Sequence, residues 1–184
     1  MPPETLDGRR AKGERRRRLL LDAALRVVGR DGVAAVTQRG VAAEAGVAPS
    51  AVLYYFPTVD DLLVAALVDV NDRWVGALED LPADRDAALD GLVELVLRSP
   101  EHGLAEYELC LLAARRPQLR PELERWWRAL DALAARLTDG SRASAVAAGL
   151  DGLFLRGCAG GPTGARHVRE VLEQLLAIPA AARR

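Results

Sequence analysis

The sequence predicts an all-α protein with about nine helices in two parts. Apolar residues recur at spacings of three and four along most of the chain, and strand-like alternation is almost absent. Half of the 184 residues are hydrophobic, which is enough for one substantial core or two small ones. Prolines and glycines divide the chain into segments of helical length.

Three short helices are predicted in the first 57 residues. The first keeps an apolar face made of Leu21, Ala24, Leu25 and Val28. The turn 31-DG-32 ends it, and Thr37 can cap a second helix that ends at Gly46. Pro49 suits the first position of a third helix, and Pro57 stops that helix one residue after Phe56.

The tight turn 46-GVA-48 between the second and third helices is typical of a helix-turn-helix. In that motif the second of the two helices enters the DNA major groove with its N-terminal residues at the base edges. The residues expected to face the bases are Pro49, Ser50 and Ala51. Tyr54 and Tyr55 are expected at the rim, where they can contact phosphates and thymine methyl groups. Packing of both rings inside the small domain is the alternative.

Basic residues are concentrated near the N-terminus. Residues 1 to 56 hold 10 Lys and Arg against 6 Asp and Glu, although the whole chain has a net charge of -1. Most of the excess lies in 9-RRAKGERRRR-18, and such a block is typical of nucleic-acid or anionic-membrane binding, or of a solvated tail. We expect residues 1 to 14 to be a flexible basic arm and residues 15 to 57 to be the DNA-binding domain.

Residues 15 to 67 resemble the DNA-binding domain of the TetR/AcrR family of bacterial transcriptional regulators. The likeness lies in the order of the DG turn, the Thr-capped second helix, the AGV turn, the YYF ending and the acidic start of a fourth helix. The resemblance implies a homodimeric repressor that a small effector releases from a palindromic double-stranded DNA operator. An activator, or a regulator without an effector, is the alternative on the same fold.

Three positions depart from the family pattern. Ala48 replaces a common Ser cap, and Leu53 and Val59 stand where the family often has a phosphate-binding tyrosine and a lysine. The arginine block and the second helix N-terminus are the natural replacements, since helix N-termini favour anions and Arg holds phosphate bidentately. The predicted phosphate contacts are Arg15, Arg16, Arg17, Arg18, Thr37, Gln38 and Arg39.

Residues 58 to 184 are predicted to form a helical domain for ligand binding and dimerisation. Thr58 can cap a helix whose inward face carries Leu63, Leu67, Val70 and Trp74. Further helices are expected at about 84 to 98, 99 to 116, 118 to 138, 141 to 159 and 165 to 178. The ends at 1 to 13 and 179 to 184 are expected to be loose.

The segment 104-LAEYELCLLAA-114 is apolar on almost every face, so Glu106 and Glu108 are difficult to keep entirely in water. Apolar walls with a few polar groups suit an apolar small molecule, and a buried carboxylate could pair with a cationic one. The predicted ligand-binding residues are Glu106, Tyr107, Cys110, Leu111, Trp126, Trp127 and Phe154. For each, the alternative is an ordinary core or surface role.

Two apolar stripes on the last two helices are predicted to form the dimer interface. They consist of Val146, Leu150 and Leu153 on one helix and Val168, Leu172 and Leu175 on the next. The turn 160-GGPTG-164 separates them. Packing of the two stripes inside one chain is the alternative.

Neither catalysis, a cofactor nor a metal site is predicted. His102 and His167 lie in different segments without a nearby nucleophile, and Cys110 and Cys158 lack metal-ligand spacing. The chain has no secretory signal and no apolar run of about 18 residues, so we expect a cytoplasmic protein with no membrane partner. A helical enzyme or interaction module that does not bind DNA is the alternative class.

Overall fold

The computed structural model describes residues 4–98, 100–138, 140, 142–160 and 164–177. Within these ranges it contains nine α-helices and no strand, which confirms the predicted fold class. The helices are α1 (Glu4–Asp31), α2 (Gln38–Glu44), α3 (Pro49–Tyr55), α4 (Val59–Glu79), α5 (Arg85–Val96), α6 (Pro100–Ala114), α7 (Arg120–Leu137), α8 (Ala143–Cys158) and α9 (Ala165–Ala177). Short 3₁₀ turns at Val33–Ala35 and Pro117–Leu119 precede α2 and α7.

The N-terminal arm differs from the prediction, because α1 begins at Glu4 and continues without a break to Asp31. Residues 4 to 14, expected as part of a flexible arm, are therefore helical. Only Gly8 and Gly13 are weak helix formers in the basic stretch, whereas Arg, Lys, Glu and Ala favour a helix. Residues 1 to 3 of the arm, the expected loose end at 179 to 184 and residues 161 to 163 lie outside the described residues.

Local capping sets the helix starts that the sequence predicted. The Thr37 hydroxyl accepts a hydrogen bond from the Gly40 amide at 3.0 Å, which caps α2. Helix α3 has no side-chain cap, but Pro49 occupies its first turn. At the start of α4, Thr58 and Asp61 form a reciprocal capping box with two 3.0 Å bonds.

The buried apolar residues form two cores. The first core joins α1, α2 and α3 to the N-terminal half of α4 and to one face of α6. The second core lies between the C-terminal end of α4, α5, α7, α8 and α9. Trp74 of α4 packs against both cores. Helices α1, α2 and α3 therefore share their core with α6 and do not close a separate one.

The side chains of the predicted dimer stripes on α8 and α9 are mostly buried within this chain, in line with the packing alternative. Five of the six side chains are buried in the second core, namely Val146, Leu150, Leu153, Val168 and Leu172. Leu175 is partly buried, and a Cβ added at Gly149 would lie only 2.7 Å from its Cδ2 atom. The two stripes thus pack on the body of their own chain, because an apolar stripe does not itself specify which surface will cover it.

No single helix among the described residues is long and apolar enough to cross a membrane. The bent pair Pro49–Tyr55 and Val59–Glu79 reaches that length and composition only when the two helices are taken together.

Candidate DNA interface and ligand cavity

The helix-turn-helix is held by apolar side chains on its inner face. Val41 and Ala42 of α2 and Val52 of α3 are buried in the first core. Phe56, which caps the C-terminal end of α3, is buried in the same core. Gly46 has a φ of 64°, a left-handed conformation that glycine adopts without strain. The opposite face of α3 is therefore left free in a fixed orientation.

The residues predicted to read bases lie on that free face. Pro49 and Ser50 are exposed and Ala51 is partly exposed at the N-terminus of α3. The ring of Tyr54 is 81% exposed, whereas Tyr55 is partly buried against the first core. The two rings meet edge to face with centroids 5.0 Å apart. Tyr55 thus follows the packing alternative and supports Tyr54, which remains available to DNA.

Gln38 has a structural role that the sequence analysis missed. Its side-chain amide donates hydrogen bonds to the carbonyl oxygens of Phe56 and Pro57 at 2.8 and 3.0 Å. Both amide hydrogens are thereby used to join α2 to the junction between α3 and α4. The expected phosphate contact by Gln38 is not supported, while the neighbouring Arg39 is exposed.

The arginine block lies on α1 beside the end of α3. Arg15, Arg16 and Arg18 are exposed, as a phosphate-binding role requires. The Arg17 guanidinium instead lies over the Phe56 ring, 5.5 Å from its centroid, in a cation–π contact. Arg17 therefore fastens α1 to the end of the recognition helix.

A cavity of about 330 Å³ lies between α4, α6, α7 and α8. Five of the seven predicted ligand-binding residues line it, namely Glu106, Tyr107, Cys110, Trp126 and Phe154. The other two do not, because Leu111 and Trp127 face solvent and are 62% and 47% exposed. Each follows a lining residue by one position, which turns it about 100° around its helix.

Nine further residues that line the cavity were not among the predicted ligand-binding residues. These are Val70, Asn71, Arg73, Trp74, Leu95, Val96, Arg98, Gly103 and Cys158. Two of them could be expected from the sequence, because helical spacing places Val70 and Trp74 on the inward face of α4. Arg98 and Cys158 carry no such signal, because only the packing of α5 and α8 brings them to the cavity.

Aromatic rings form one wall of the cavity. Trp74, Trp126 and Phe154 contact one another edge to face, with centroids 5.2 to 6.1 Å apart. Asp151 of α8 fixes the side chains of Tyr107 and Trp126. The Tyr107 hydroxyl donates to the Asp151 backbone oxygen at 2.8 Å, and the Trp126 indole N–H donates to the Asp151 carboxylate at 3.3 Å. The rings are therefore preorganised faces for a flat apolar ligand.

Glu106 is the only carboxylate among the described side chains that line this cavity. Burial raises its pKa to about 7, although the Trp74 side chain and the nearby Arg73 and Arg98 act to lower it. Arg73 also pairs with Asp69 at 2.6 Å, and Arg98 lies 6.0 Å from the Trp74 centroid. Near neutral pH, Glu106 can thus exist in either protonation state.

Two thiols complete the polar part of the wall. Burial raises the pKa of Cys110 to about 12 and that of Cys158 to about 11, with the Glu106 charge acting in the same direction. Both thiols are therefore protonated and uncharged at neutral pH. They act as small apolar side chains, so the charge of the wall depends on Glu106, Arg73 and Arg98.

Helix α6 has two functional faces. Ala105, Leu109 and Ala113 are buried in the first core, together with α1, α2 and α3. Glu106 and Cys110, one position further along, line the cavity. The same helix is therefore a wall of the cavity and a part of the DNA-binding core.

Polar contacts strengthen the link between α6 and the DNA-binding helices. A carboxylate oxygen of Glu108 accepts a hydrogen bond from the backbone N–H of Val33 at 2.5 Å. Gly32 has a φ of 85° and brings its backbone beside the same carboxylate. Beyond the C-terminal end of α6, Arg116 pairs with Asp60 in the first turn of α4. Glu106 and Glu108 are both partly buried, but they face different partners.

Comparisons with known proteins agree with this arrangement. Residues 20–66 match the family described as bacterial regulatory proteins, tetR family, and residues 83–178 match the tetracyclin repressor-like C-terminal domain. The HTH-type transcriptional regulator BetI of Brucella anthropi is 30% identical over 158 residues, which cover 77% of this chain and 80% of that protein.

Two further relatives carry ligand information. The HTH-type nicotine-responsive transcriptional repressor HdnoR of Paenarthrobacter nicotinovorans is 31% identical over 109 residues, and the match spans 55% of this chain and little more than half, 56%, of that protein. The crystal structure of the multidrug binding protein EbrR complexed with ethidium has a TM-score of 0.63 and 40% identity, with 89% of this chain and 99% of that chain covered. On the two domain matches and the BetI alignment, this chain belongs to the TetR family of bacterial regulatory proteins.

Proposed function

We propose that this protein is a homodimeric transcriptional repressor that a small apolar cation releases from a palindromic operator. The observation that carries the proposal is the position of α6, which lines the cavity with Glu106 and Cys110 and enters the DNA-binding core with Ala105 and Leu109. Because bacterial DNA lies in the cytoplasm, the same proposal places the protein there.

The proposed ligand class rests on the chemistry of the cavity and of the relatives' ligands. Three aromatic rings and one partly buried carboxylate are complementary to a flat or aromatic cation. EbrR was crystallised with ethidium, malachite green and proflavin, which are aromatic cations. HdnoR is described as nicotine-responsive, and nicotine has an aromatic pyridine ring and a basic tertiary amine. These likenesses favour a cationic effector for this chain.

The proposed release mechanism is a displacement of α6. A ligand that separates α6 from Trp74 or Trp126 pushes on a helix that is packed into the first core, where close packing resists sliding. The Glu108–Val33 bond passes such a shift to the turn between α1 and α2. A coupling of about 1 to 3 kcal/mol would weaken operator binding by roughly 5- to 150-fold, and DNA must weaken the ligand equally.

The direct test of the function is selection of duplexes from a random pool by the purified protein, followed by sequencing. A dimer with two recognition helices should enrich a palindrome whose half-sites are about one or more helical turns apart. Enrichment of no sequence at moderate salt would contradict a sequence-specific regulator.

The ligand affinity should depend on pH through Glu106. Because a cation favours the carboxylate, while a free Glu106 with a pKa of about 7 is partly protonated, binding should release a proton at low pH. We expect the affinity for tetraphenylphosphonium, a permanent cation that does not intercalate in DNA, to rise about tenfold from about pH 6 to about pH 8. Isothermal titration calorimetry in buffers of different ionisation enthalpy measures the affinity and the proton release.

Glu106→Gln should remove the pH dependence and leave the weak affinity seen at low pH. Glu94→Gln is the matched control, since Glu94 is an exposed carboxylate on α5 outside the cavity. Arg73 and Arg98 also line the cavity. Tyr107, Cys110 and Cys158 line it too, but burial raises the pKa of all three, so none of them loses a proton near neutral pH. An unchanged pH profile in Glu106→Gln would exclude this carboxylate as the cation partner.

The communication between the two sites should depend on Glu108. In Glu108→Ala the Val33 N–H loses its acceptor, a loss of about 1 to 3 kcal/mol for a buried group, and the turn after α1 is freed from α6. We expect nearly normal affinity for tetraphenylphosphonium alone, but a smaller reduction of operator affinity when it binds. Fluorescence anisotropy of a labelled operator with and without the cation gives the coupling factor.

Glu108→Gln keeps an oxygen acceptor and should retain part of the coupling, which separates the hydrogen bond from the charge. If Glu108→Ala responds to the cation as strongly as the native protein does, the shift reaches the DNA-binding helices by another contact.

The dimer surface that we propose is the outer face of α8. Ala145, Ala148, Gly152 and Leu155 are exposed there at spacings of three and four, as in a helix–helix seam, and the small residues allow close approach of a second copy. Leu155, 45% exposed, is the large apolar residue of this face. Continuity with the two predicted stripes on the inner faces of α8 and α9 supports the same pair of helices as the interface.

Leu155→Asp should therefore convert the dimer into a folded monomer, because a carboxylate opposed to its own copy is desolvated and repelled. Sedimentation velocity measures the assembly, and circular dichroism checks the fold. Leu150→Asp is the contrasting variant, since Leu150 is buried in the second core and its replacement should unfold the domain. A Leu155→Asp protein that stays dimeric would exclude this face.

A further inference from the structure

We propose that the basic part of α1, residues 8 to 18, is a second DNA-binding element that holds the phosphate backbone beside the groove read by α3. This inference rests on the proposed DNA-binding function and adds to it a surface that the helix-turn-helix does not contain. We name this part the α1 extension. It belongs to the same continuous helix as Leu20, the first residue of α1 that is buried in the first core.

Most cations of the α1 extension make no ion pair with a described side chain, in contrast to many arginines elsewhere. Six of them are exposed and have no carboxylate partner among the side chains that the structure describes, namely Arg9, Arg10, Lys12, Arg15, Arg16 and Arg18. Elsewhere Arg26 and Arg30 share Glu44, and Arg169 pairs with Glu173 and Asp90. Unpaired cations at this density repel one another, so the surface is suited to a polyanion.

Two contacts fix the direction of the α1 extension relative to the recognition helix. The Arg17 guanidinium lies on the Phe56 ring just after α3. Gly13, one turn earlier, lies beside Tyr55, since a Cβ added there would be 3.7 Å from the tyrosine hydroxyl oxygen. When α3 lies in a major groove, these contacts therefore hold the extension near the phosphate backbone of the DNA that borders the groove.

The dimensions of the α1 extension suit a DNA strand. Positions 9 to 18 span about 14 Å of helix axis at 1.5 Å per residue. That length corresponds to about four phosphates of one strand, which are about 3.4 Å apart along the duplex axis. A preformed helix also avoids the entropy cost that a disordered arm meets when it binds.

Duplex DNA fits this surface better than an anionic membrane does. A helix that lies in a membrane surface needs a face of bulky apolar residues opposite its cations. Between residues 8 and 18 the only apolar side chain is the methyl group of Ala11. The recognition helix, in contrast, lies directly beside the extension and requires a DNA partner.

The test separates charge from rigidity in the full-length protein, with the operator obtained by selection. In the triple variant Arg9→Gln, Arg10→Gln, Lys12→Gln, the slope of log affinity against log salt should fall by about three, and the preferred sequence should not change. Gly13→Pro keeps every charge but kinks the helix, and it should weaken binding and flatten the same slope.

Gly13→Ala is the matched control for the kink. The added methyl group makes an ordinary contact with Tyr55 and removes a glycine from a helix interior, so operator affinity should be equal or higher. Circular dichroism and thermal melting confirm that all three variants keep the remaining fold. Since none of the four substituted positions lies in either core, unfolding is not expected.

Three results would overturn the proposal in different ways. An unchanged salt slope in the triple variant would exclude phosphate contacts, and normal affinity in Gly13→Pro would exclude the requirement for a rigid helix. Binding to phosphatidylglycerol vesicles that the triple variant loses, with operator binding unaffected, would assign the surface to lipid. If the native protein selects no DNA at all, the proposed function itself fails, and that outcome is distinct from the other three.

Discussion

The structure depends on one helix being packed on two sides. Ala105, Leu109 and Ala113 place α6 inside the core of the DNA-binding helices, while Glu106 and Cys110 give its next face to the cavity. Protein cores are packed to the density of organic crystals, so a helix buried in one cannot slide without moving its neighbours. In the proposed mechanism, a ligand on one face of α6 therefore acts through this packing on the other face.

The distribution of charge fits the two proposed activities, DNA binding by α1 and ligand binding in the cavity. In the proposed complex, the exposed cations of the α1 extension face the phosphates of DNA. In the cavity, burial raises the pKa of Glu106 to about 7 against the opposing effect of Arg73 and Arg98, so its ionisation is close to balanced near neutral pH. A cationic ligand can shift that balance at small cost, whereas an unpaired buried carboxylate would be expensive.

The sequence could predict whatever depends on neighbouring residues. Thr37 and the Thr58–Asp61 pair mark helix starts through local hydrogen bonds, and Pro49 marks one through its fixed φ and missing N–H. The structure has those starts. Features set by distant packing could not be predicted in the same way. The apolar stripes of α8 and α9 required a cover, but their pattern was equally consistent with another chain and with the second core, which buries most of them. The basic block was interpreted as an arm because its charge dominated its helix propensity.

In the cavity, too, the local sequence predicts some features, whereas others depend on how the helices pack. The apolar segment around Glu106 indicated a pocket, but the helical phase decided that Leu111 and Trp127 would face water. The junction between α3 and α4 completes the path from this pocket to DNA. Gln38 ties α2 to the carbonyl groups of Phe56 and Pro57, and the Arg116–Asp60 pair holds the start of α4 against the end of α6. In the proposed mechanism, the Glu108–Val33 bond and the packing of α6 in the first core are the contacts through which a shift of this helix reaches α1, α2 and α3.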